Sequence, residues 1–517
     1  MKRSVQKGWL YAIAALVILL LVLSPASAGS KTTGSLTGIT PTHLSIEPMQ
    51  EVHATEQLSE ASGMAAATAA PDLLWRFGIF WDGSFHGRAA IPANDGGYLV
   101  VGESRLGGSE ESAQGAVVAI TEPVDGQTGF KWAWLYGPDT SFDTFSGVAP
   151  DDNGYVFVGA SRSFSPPQAD AWLLHTDNDG WGDYSTYWQR YYPQYYATPP
   201  YNGDDQFSSV VHTSADTFVS AGSTRSYRSD GGSDAFLIDM DSTGTATGML
   251  NHDGSGQKSI ERIRQTSDGG YILTGTSDNR LYLLRLNADH SVRWEHSYGS
   301  NPDTSAHDVR QTSDSGFIAA GTTQDSSGHR SLYLLRTDAD GTVLWQATPG
   351  SARPSNEGAG VVQTDDGGFV AAGTSAGVYV AKVDDAGRTV WEQVYIEQYP
   401  DSTVASIERT DDGGFLIGGT RIMPEEPAPG FHLVKLGPEK TVPHPIPLPG
   451  FSVLPTDPDG DGLYEDLNGN GAADFNDVVL FFTYLEWIGE NEPISLFDFN
   501  VNGQIDFADI TLLFEEL

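Results

Sequence analysis

The chain contains no cysteine, and that absence excludes several chemistries at once. Without thiols there is no disulfide, no cysteine nucleophile and no cysteine-ligated zinc site. Basic residues are scarce too: 28 Lys and Arg stand against 68 Asp and Glu, for a formal net charge of −40 over 517 residues. Such a surface repels a phosphate backbone, which argues against nucleic acid as a partner, whereas bound cations or solubility in high salt suit it.

Long apolar runs are missing except at the N-terminus, so the sequence predicts no other membrane span. There the parts of a secretory signal peptide occur in order: basic residues (Lys2, Arg3, Lys7), an apolar run (9–23) and a small-residue cleavage site (Ala26-Ser27-Ala28). We predict a signal peptide over 1–28; the alternative is an uncleaved anchor, because the apolar run is long. Either way, we expect the rest of the chain to be secreted or displayed at the cell surface.

Glycine, by contrast, is abundant, with 59 residues. Much of it belongs to a motif in which an Asp-Gly-Gly-like turn precedes a short apolar run and a closing glycine, as in "DGGYILTG" (268–275). The motif occurs seven times, with closing glycines at Gly102, Gly159, Gly222, Gly275, Gly321, Gly373 and Gly419. A period of roughly fifty residues indicates a propeller or a solenoid.

Each repeat reads as four short strands with no helical stretch between them, which favours propeller blades. The seventh copy stops early, after "FHLVKLG" (431–437), and an unmatched strand containing Trp75 precedes the first copy. If that N-terminal strand completes the last blade, the ring closes and no sheet edge stays open. The sequence therefore predicts a mainly β chain: a flexible linker rich in Ser, Thr and Ala over 29–70, then a seven-bladed β-propeller over 71–440.

Several repeats carry a tryptophan behind an Asp-Gly turn, as in "DADGTVLW" (338–345). The tryptophans selected by the pattern are Trp132, Trp188, Trp294, Trp345 and Trp391. The pattern resembles the Asp…Gly…Trp motif of quinoprotein alcohol dehydrogenases and, in part, the Asp-box of sialidases. Both resemblances imply a structural role, which in the dehydrogenases is to dock one blade to the next, and neither implies an active site.

A proline-rich stretch, predicted as a stiff linker over 441–454, separates the propeller from two twelve-residue loops. Oxygen donors fall at positions 1, 3, 5, 7, 9 and 12 of each loop: Asp466, Asn468, Asn470, Ala472, Asp474 and Asp477, then Asp498, Asn500, Asn502, Gln504, Asp506 and Asp509. Position 7 would contribute its backbone carbonyl. Calcium takes about six to eight hard oxygen ligands, and alternate residues of a tight loop bring them together. The loops therefore predict two EF-hand-like Ca²⁺ sites.

Both loops run into an apolar segment with helical character, and both end in Asp where an EF-hand has Glu. The duplication with this ending resembles a type I dockerin over residues 455–517. The resemblance implies two paired loop–helix units and docking to a cohesin-like domain of a partner protein. Dockerins read that partner with loop positions 10 and 11, which here are Phe475 and Asn476, and Phe507 and Ala508. Small polar residues are usual there, and a self-contained calcium module is the alternative to cohesin docking.

The stretch ahead of the first loop, "DPDGDGLYED" (457–466), repeats part of the same spacing. Asp457, Asp459, Asp461 and Glu465 fall at positions 1, 3, 5 and 9. Position 12 would be Asn468, which already belongs to the next loop, and two adjacent dications repel each other. A third Ca²⁺ site and an ordinary acidic turn are both open interpretations.

No catalytic set stands out in the propeller. "GTSAG" (373–377) matches a nucleophile elbow, but no strand-to-helix turn follows it, so we interpret it as a chance match. In a tyrosine-rich segment, Tyr191, Tyr192, Tyr195 and Tyr196 would either grip a polysaccharide or protein, or pack over a neighbouring blade.

From these features we expect an exported, calcium-binding interaction protein that uses the propeller as a binding platform. The alternative is a dockerin-borne polysaccharide-degrading hydrolase or lyase with its site on the propeller.

Overall fold

The structure is a computed structural model, and it describes residues 42–43, 68–79, 83–106, 113–121, 129–138, 141–163, 168–181, 188–192, 203–213, 217–228, 230–252, 256–299, 303–351, 353, 356–396, 402–423, 426–441, 445–459 and 461–516. The predicted signal peptide (1–28) and two of the tyrosines predicted to contact a ligand, Tyr195 and Tyr196, lie outside these residues. Among the residues described, no helix has the length and apolar character needed to cross a bilayer.

Seven antiparallel sheets form the blades of a β-propeller. Among the described residues, three strands precede the first complete repeat: β1 (Thr42–His43), β2 (Thr68–Ala69) and β3 (Leu73–Ile79). Blades one to three contain β4 (Gly83–Pro92), β5 (Tyr98–Leu106), β6 (Ala113–Ile120) and β7 (Phe130–Tyr136); β8 (Asp143–Pro150), β9 (Gly154–Ser161), β10 (Asp170–Asp177) and β11 (Trp188–Tyr192); and β12 (Asp205–His212), β13 (Phe218–Thr224), β14 (Asp234–Met240) and β15 (Ala246–His252).

Blades four to six repeat the four-stranded order with β16 (Lys258–Gln265), β17 (Tyr271–Ser277), β18 (Arg280–Leu286) and β19 (Val292–Tyr298); β20 (Thr304–Gln311), β21 (Phe317–Gln324), β22 (Arg330–Thr337) and β23 (Val343–Ala347); and β24 (Glu357–Gln363), β25 (Phe369–Thr374), β26 (Val378–Val383) and β27 (Thr389–Tyr395). Blade seven contains β28 (Thr403–Arg409), β29 (Phe415–Met423), β30 (Glu426–Leu436) and β3. A short strand, β31 (Lys440–Thr441), pairs with β2. The first strands of neighbouring blades contact one another all the way round, so they surround the propeller axis.

The N-terminal strand closes the ring, as the sequence predicted. β3 pairs antiparallel with β30, with Phe77 opposite Leu433 and Trp75 opposite Lys435. β4 of blade one in turn packs against β28, β29 and β30 of blade seven. Two shorter strands also lie within 29–70, the predicted linker: β2, and β1, which adds a fifth strand beside β7. The outer strand of blade seven therefore comes from the other end of the chain, and it leaves no gap between the last blade and the first.

The closing glycine of every repeat faces a β-bulge in the first strand of its own blade. In blade four, Gly275 lies opposite Ile260, where the register shifts to Arg262. A Cβ on Gly275 would lie 1.9 Å from the carbonyl oxygen of Ser259. Because the bulge brings the two backbones too close for any side chain, the motif ends in glycine.

Tryptophans on the outer strands of five blades, namely one, two, four, five and six, contact the blade or segment that follows. Their indole N–H groups donate to backbone carbonyls of the following blade: Trp134 to Asp179 (2.9 Å), Trp188 to Ser242 (3.1 Å), Trp294 to Ala339 (3.0 Å) and Trp345 to Asp385 (2.8 Å). Trp391 donates instead to the carboxylate of Glu439 (3.0 Å). In blade one the donor is Trp134 rather than Trp132, the residue that the repeat pattern selects. These contacts give the Asp-Gly…Trp pattern the structural role that the resemblance implied.

Two helices follow the propeller: α1 (Phe475–Asn491) and α2 (Phe507–Glu516), with a 3₁₀ turn (Ile494–Leu496) between them. Asp474 caps the N-terminus of α1 and, with Asp477, forms a capping box. The helices and their connections enclose a separate apolar core: Leu448, Leu467, Val478, Phe481, Ile488, Leu496, Phe497, Phe499, Ile510 and Leu513. We refer to residues 445–516 as the C-terminal module.

Candidate metal centre in the C-terminal module

The C-terminal module buries carboxylates but contributes no lysine or arginine of its own. After Lys440 the sequence has no lysine or arginine, but it has nine aspartates and six glutamates. Asp466, Asp477, Asp498 and Asp509, the first and last positions of the two predicted loops, are all buried. A buried carboxylate is unfavourable unless hydrogen-bond donors or a cation face it.

The first position of each loop is held in the same way. In the first loop, Asp466 accepts hydrogen bonds from the backbone N–H groups of Asn470 (3.0 Å) and Gly471 (2.6 Å). In the second loop, Asp498 accepts from Asn502 (3.0 Å) and Gly503 (2.7 Å). Both glycines have positive φ, 90° for Gly471 and 84° for Gly503, which the sharp turn at position 6 requires. In each loop the backbone therefore folds back around the carboxylate at position 1.

The last position of each loop joins its two ends. Asp477 accepts from the backbone N–H groups of Asn468 (3.2 Å) and Asp474 (2.9 Å). Asp509 accepts from Asn500 (3.1 Å) and Asp506 (2.7 Å) in the same arrangement. Burial raises the pKa of Asp477, and the nearby carboxylates of Asp466 and Asp474 raise it further, against the lowering effect of its backbone donors. The charges at this position repel one another, so a cation placed among them would be bound favourably.

Position 9 of each loop links the loop to its helix. Asp474 accepts from the N–H of Asn476 (2.7 Å) at the start of α1, and Asp506 accepts from Ala508 (2.7 Å) at the start of α2. By sequence position, each loop offers three carboxylates, two amide side chains and a backbone carbonyl, all hard oxygen donors. This donor set fits Ca²⁺, and it offers no nitrogen or sulfur ligand of the kind that zinc prefers.

A third acidic group lies ahead of the first loop. Asp457, Asp459, Asp461 and Glu465 each place a carboxylate oxygen so that all four atoms lie within 4.8 Å of one another. Glu465 is only 5% exposed, and neither of its carboxylate oxygens has a hydrogen-bond partner on another residue. Burial, together with these three aspartates, raises the pKa of Glu465 to about 8.

Both helices present phenylalanines to solvent. Phe475, Phe482, Phe507 and Phe514 are 64%, 63%, 60% and 55% exposed. They meet in two edge-to-face pairs, Phe475 with Phe514 (ring centroids 6.1 Å apart) and Phe482 with Phe507 (6.2 Å). We call these four residues the phenylalanine patch. Sequence analysis singled out Phe475 and Phe507, at position 10 of each loop, but missed Phe482 and Phe514, whose signal is a spacing of seven residues along each helix.

The described tyrosines of the aromatic segment lie in β11. Tyr192 is buried and donates to the carbonyl of Gly244 in blade three (3.4 Å). Tyr191 stacks beside Trp172, with ring centroids 6.5 Å apart. These contacts belong to blade packing, the alternative that the sequence left open for this segment.

The propeller axis holds an ionic cluster that sequence analysis did not find. Arg264, Arg310 and Glu408 occupy one repeat position in blades four, five and seven, with Arg262 and Asp308 nearby. Arg264 lies 2.9 Å from Glu408 and 3.4 Å from Asp308, and Arg310 lies 2.8 Å from Glu408. Burial would raise the pKa of Glu408, but Arg310 and Arg264 outweigh it and hold the value at about 2. The sequence signal for this cluster is that the equivalent position of the repeats is basic in Arg264 and Arg310 but acidic in Glu408.

The "GTSAG" match lies where β25 meets β26. Ser375 is buried, and its N–H donates to the carbonyl of Gly377 (3.1 Å) in the tight turn between these two strands. A strand-to-strand hairpin does not present the serine as a nucleophile elbow does.

No family model and no curated protein matches the chain. Solved structures do resemble it. A gluconolactonase from Xanthomonas campestris is 12% identical over 56% of this chain and 85% of its own (TM-score 0.32). A sialidase from Trypanosoma rangeli is 10% identical over 73% and 60% (TM-score 0.39), and a puromycin hydrolase is 13% identical over 72% and 56% (TM-score 0.44). Likenesses this distant carry nothing about the activity of this chain.

Proposed function

We propose that this protein is an exported interaction protein whose C-terminal module binds calcium and docks to a protein partner, with the propeller as the platform that is carried. The observation on which this proposal depends is the phenylalanine patch. Four exposed aromatic rings on one small module are costly to leave in water, and exposed apolar groups of this kind mark protein interfaces.

Calcium is the ion that best suits the two loops. Asp466, Asp474 and Asp477 would hold one ion with Asn468, Asn470 and the carbonyl of Ala472; Asp498, Asp506 and Asp509 would hold the other with Asn500, Asn502 and the carbonyl of Gln504. A bound ion would neutralise carboxylates in a module that contains no lysine or arginine. The same aspartates cap α1 and α2, so the loops and the helices are expected to form together.

We infer docking because the phenylalanine patch lies on the two helices that the calcium loops hold in place. Each helix contributes two rings to the phenylalanine patch, one at position 10 of its loop and one seven residues later. The partner surface we infer is apolar and belongs to a cohesin-like domain, the class that the dockerin resemblance implies. Because the patch spans both helices, disruption of either loop should weaken docking.

The test is direct binding of the full chain to a panel of purified cohesin domains by biolayer interferometry, with Ca²⁺ and with EDTA. We expect binding of at least one domain in Ca²⁺, none in EDTA, and a loss of at least about tenfold in affinity for Phe482→Asp or Phe514→Asp. Leu344→Asp is the matched control, because Leu344 is an equally exposed apolar residue of the propeller (55%). Binding that survives both phenylalanine substitutions, or none to any domain in Ca²⁺, would overturn the proposal.

A further inference from the structure

We propose that Asp457, Asp459, Asp461 and Glu465 form a third binding site for a hard divalent cation such as Ca²⁺, separate from the two matched loops. The proposal does not depend on docking, and it concerns residues outside both twelve-residue loops.

The buried carboxylate of Glu465 is the primary observation. Its side chain is 5% exposed, and neither oxygen has a hydrogen-bond partner on another residue. One of its oxygens lies within 4.8 Å of a carboxylate oxygen of each of the three aspartates. A buried, unpartnered carboxylate facing three others is stable only if a cation lies among them or if protons neutralise them. The C-terminal module has no lysine or arginine of its own, so an ion from solvent can fill that role.

The backbone of this segment already has the conformation of a cation-binding loop. Asp457 accepts from the N–H of Gly462 (2.9 Å), five residues on, as Asp466 accepts from Gly471. Asp461 accepts from the N–H of Leu463 (2.8 Å), as Asn470 accepts from Ala472. Gly462 has φ of 95°, matching the glycines at position 6 of the other loops. The backbone therefore holds these carboxylates in the arrangement of a cation-binding loop.

Glu465, at position 9 of this register, supplies the fourth carboxylate of a site that lacks a twelfth ligand. In this register position 12 is Asn468, whose side-chain amide instead donates to Asp477 (2.6 Å) in the next loop. Glu465 has the longer side chain, and it lies next to Asp466, the first ligand of that loop. Four carboxylates carry two more negative charges than one divalent ion neutralises, and this excess offsets the repulsion from a second ion bound close by.

The neighbouring loop is tied to this site through backbone contacts. Thr456 and Asp466 exchange backbone hydrogen bonds of 2.9 and 3.2 Å, and the Thr456 hydroxyl donates to the Asp466 carboxylate (2.6 Å). The segment from Asp457 to Glu465 therefore lies in a closed loop whose ends are fixed to each other. An ion bound there would stabilise the segment that leads into the first twelve-residue loop.

The experiment is a count of bound Ca²⁺ per full chain by equilibrium dialysis, on wild type and variants. We expect Glu465→Gln, which keeps the size of the side chain, to bind one ion fewer than wild type, and Asp459→Asn to weaken the same ion at least about tenfold. Glu486→Gln, at an exposed acid of α1, is the control and should bind as many ions as wild type.

The outcomes separate this proposal from the loop sites. Asp498→Ala should remove a different ion, so the double variant with Glu465→Gln should lose two. If Glu465→Gln binds as many ions as wild type while Asp498→Ala loses one, the acidic group is an ordinary turn and the third site is refuted. If Glu465→Gln loses an ion and Asp498→Ala loses none, the third site stands and the loop site at Asp498 fails.

Discussion

Asp143 and Asp205 occupy the same place in neighbouring blades, the first residue of β8 and of β12. Each is buried and accepts hydrogen bonds from two hydroxyl groups, those of Ser161 and Ser163 for Asp143 and of Thr224 and Ser226 for Asp205. Burial outweighs these bonds and raises the pKa of both carboxyls to about 6. Neither residue could be singled out from the sequence, because an aspartate at a strand start usually lies at the surface.

These two residues predict an unusual pH dependence. Because their pKa is raised in the folded state, the fold binds their protons more tightly than the unfolded chain does. The stabilisation is complete below the ordinary value near 3.8 and is lost as the pH rises through about 6. Each residue should contribute a decline of up to about 3 kcal/mol in the free energy of unfolding over that window.

Urea unfolding of the propeller between pH 4 and 7 measures this decline. The double variant Asp143→Asn and Asp205→Asn should show a shallower fall in stability than wild type. Asp152→Asn, at an exposed acid of the turn after β8, should follow wild type. A double variant that falls as steeply as wild type would contradict the assignment.

At the scale of elements, each Asp-Gly turn in blades four to seven is fixed by a buried cation from the third strand of the blade. In blade five, Arg336 donates to Asp314 (2.6 Å), and the hydroxyl of Thr312 donates to the same carboxylate (2.6 Å). The equivalent pairs are Arg285 with Asp268, Lys382 with Asp366 and Lys435 with Asp412. The turn thus holds two strands together through charge as well as through glycine.

Removing the carboxylate should destabilise the blade by leaving a buried guanidinium unpaired. We expect Asp314→Ala to lower the free energy of unfolding by about 2 kcal/mol, with about half regained when Arg336→Met is added. Asp340→Ala, in an exposed turn of the same blade, should change stability by less than about 0.5 kcal/mol. Chemical denaturation of all four proteins completes the cycle, and additive effects of Asp314→Ala and Arg336→Met would refute the coupling.

Much of the propeller could be predicted from these same elements. The seven closing glycines and the unmatched strand around Trp75 fixed the number of blades and the closure, because bulge sterics and an open sheet edge leave few alternatives. The partners of the turn aspartates could not be predicted, since Arg336 and Lys382 lie about twenty residues away on another strand. In the C-terminal module the loop spacing predicted the ligand positions, but only packing brings Phe475 against Phe514.

At the scale of the whole molecule, charge is divided unevenly along the chain. Every lysine and arginine lies at or before Lys440, and the remaining residues contribute 15 of the 68 acids. The propeller balances part of its acids with buried lysine and arginine side chains. The C-terminal module has no lysine or arginine for this purpose, so its stability should depend on ions from solvent.

Calcium removal should therefore separate two unfolding transitions. By differential scanning calorimetry, EDTA should lower the transition of the C-terminal module, while the propeller transition stays in place. Each site at a hundredfold excess of ion over its dissociation constant adds about 2.7 kcal/mol to the module. Asp466→Ala should reduce the shift, whereas Asp340→Ala in the propeller should not. If EDTA lowers the transition temperatures of the module and the propeller equally, or of neither, the prediction that only the module depends on calcium is contradicted.

The pairing of β3 with β30 also sets an order of events in time. The ribosome makes β3 before any complete blade, yet its hydrogen-bonding partner is among the last strands to be made. Until β30 has been made, β3 has no strand to pair with, whether folding begins at the ribosome or after export. The propeller can close only after residue 436 has been made. A chain truncated before that point would leave β3 unpaired and the ring open. We expect cellular proteases to cleave such a chain at the open edge.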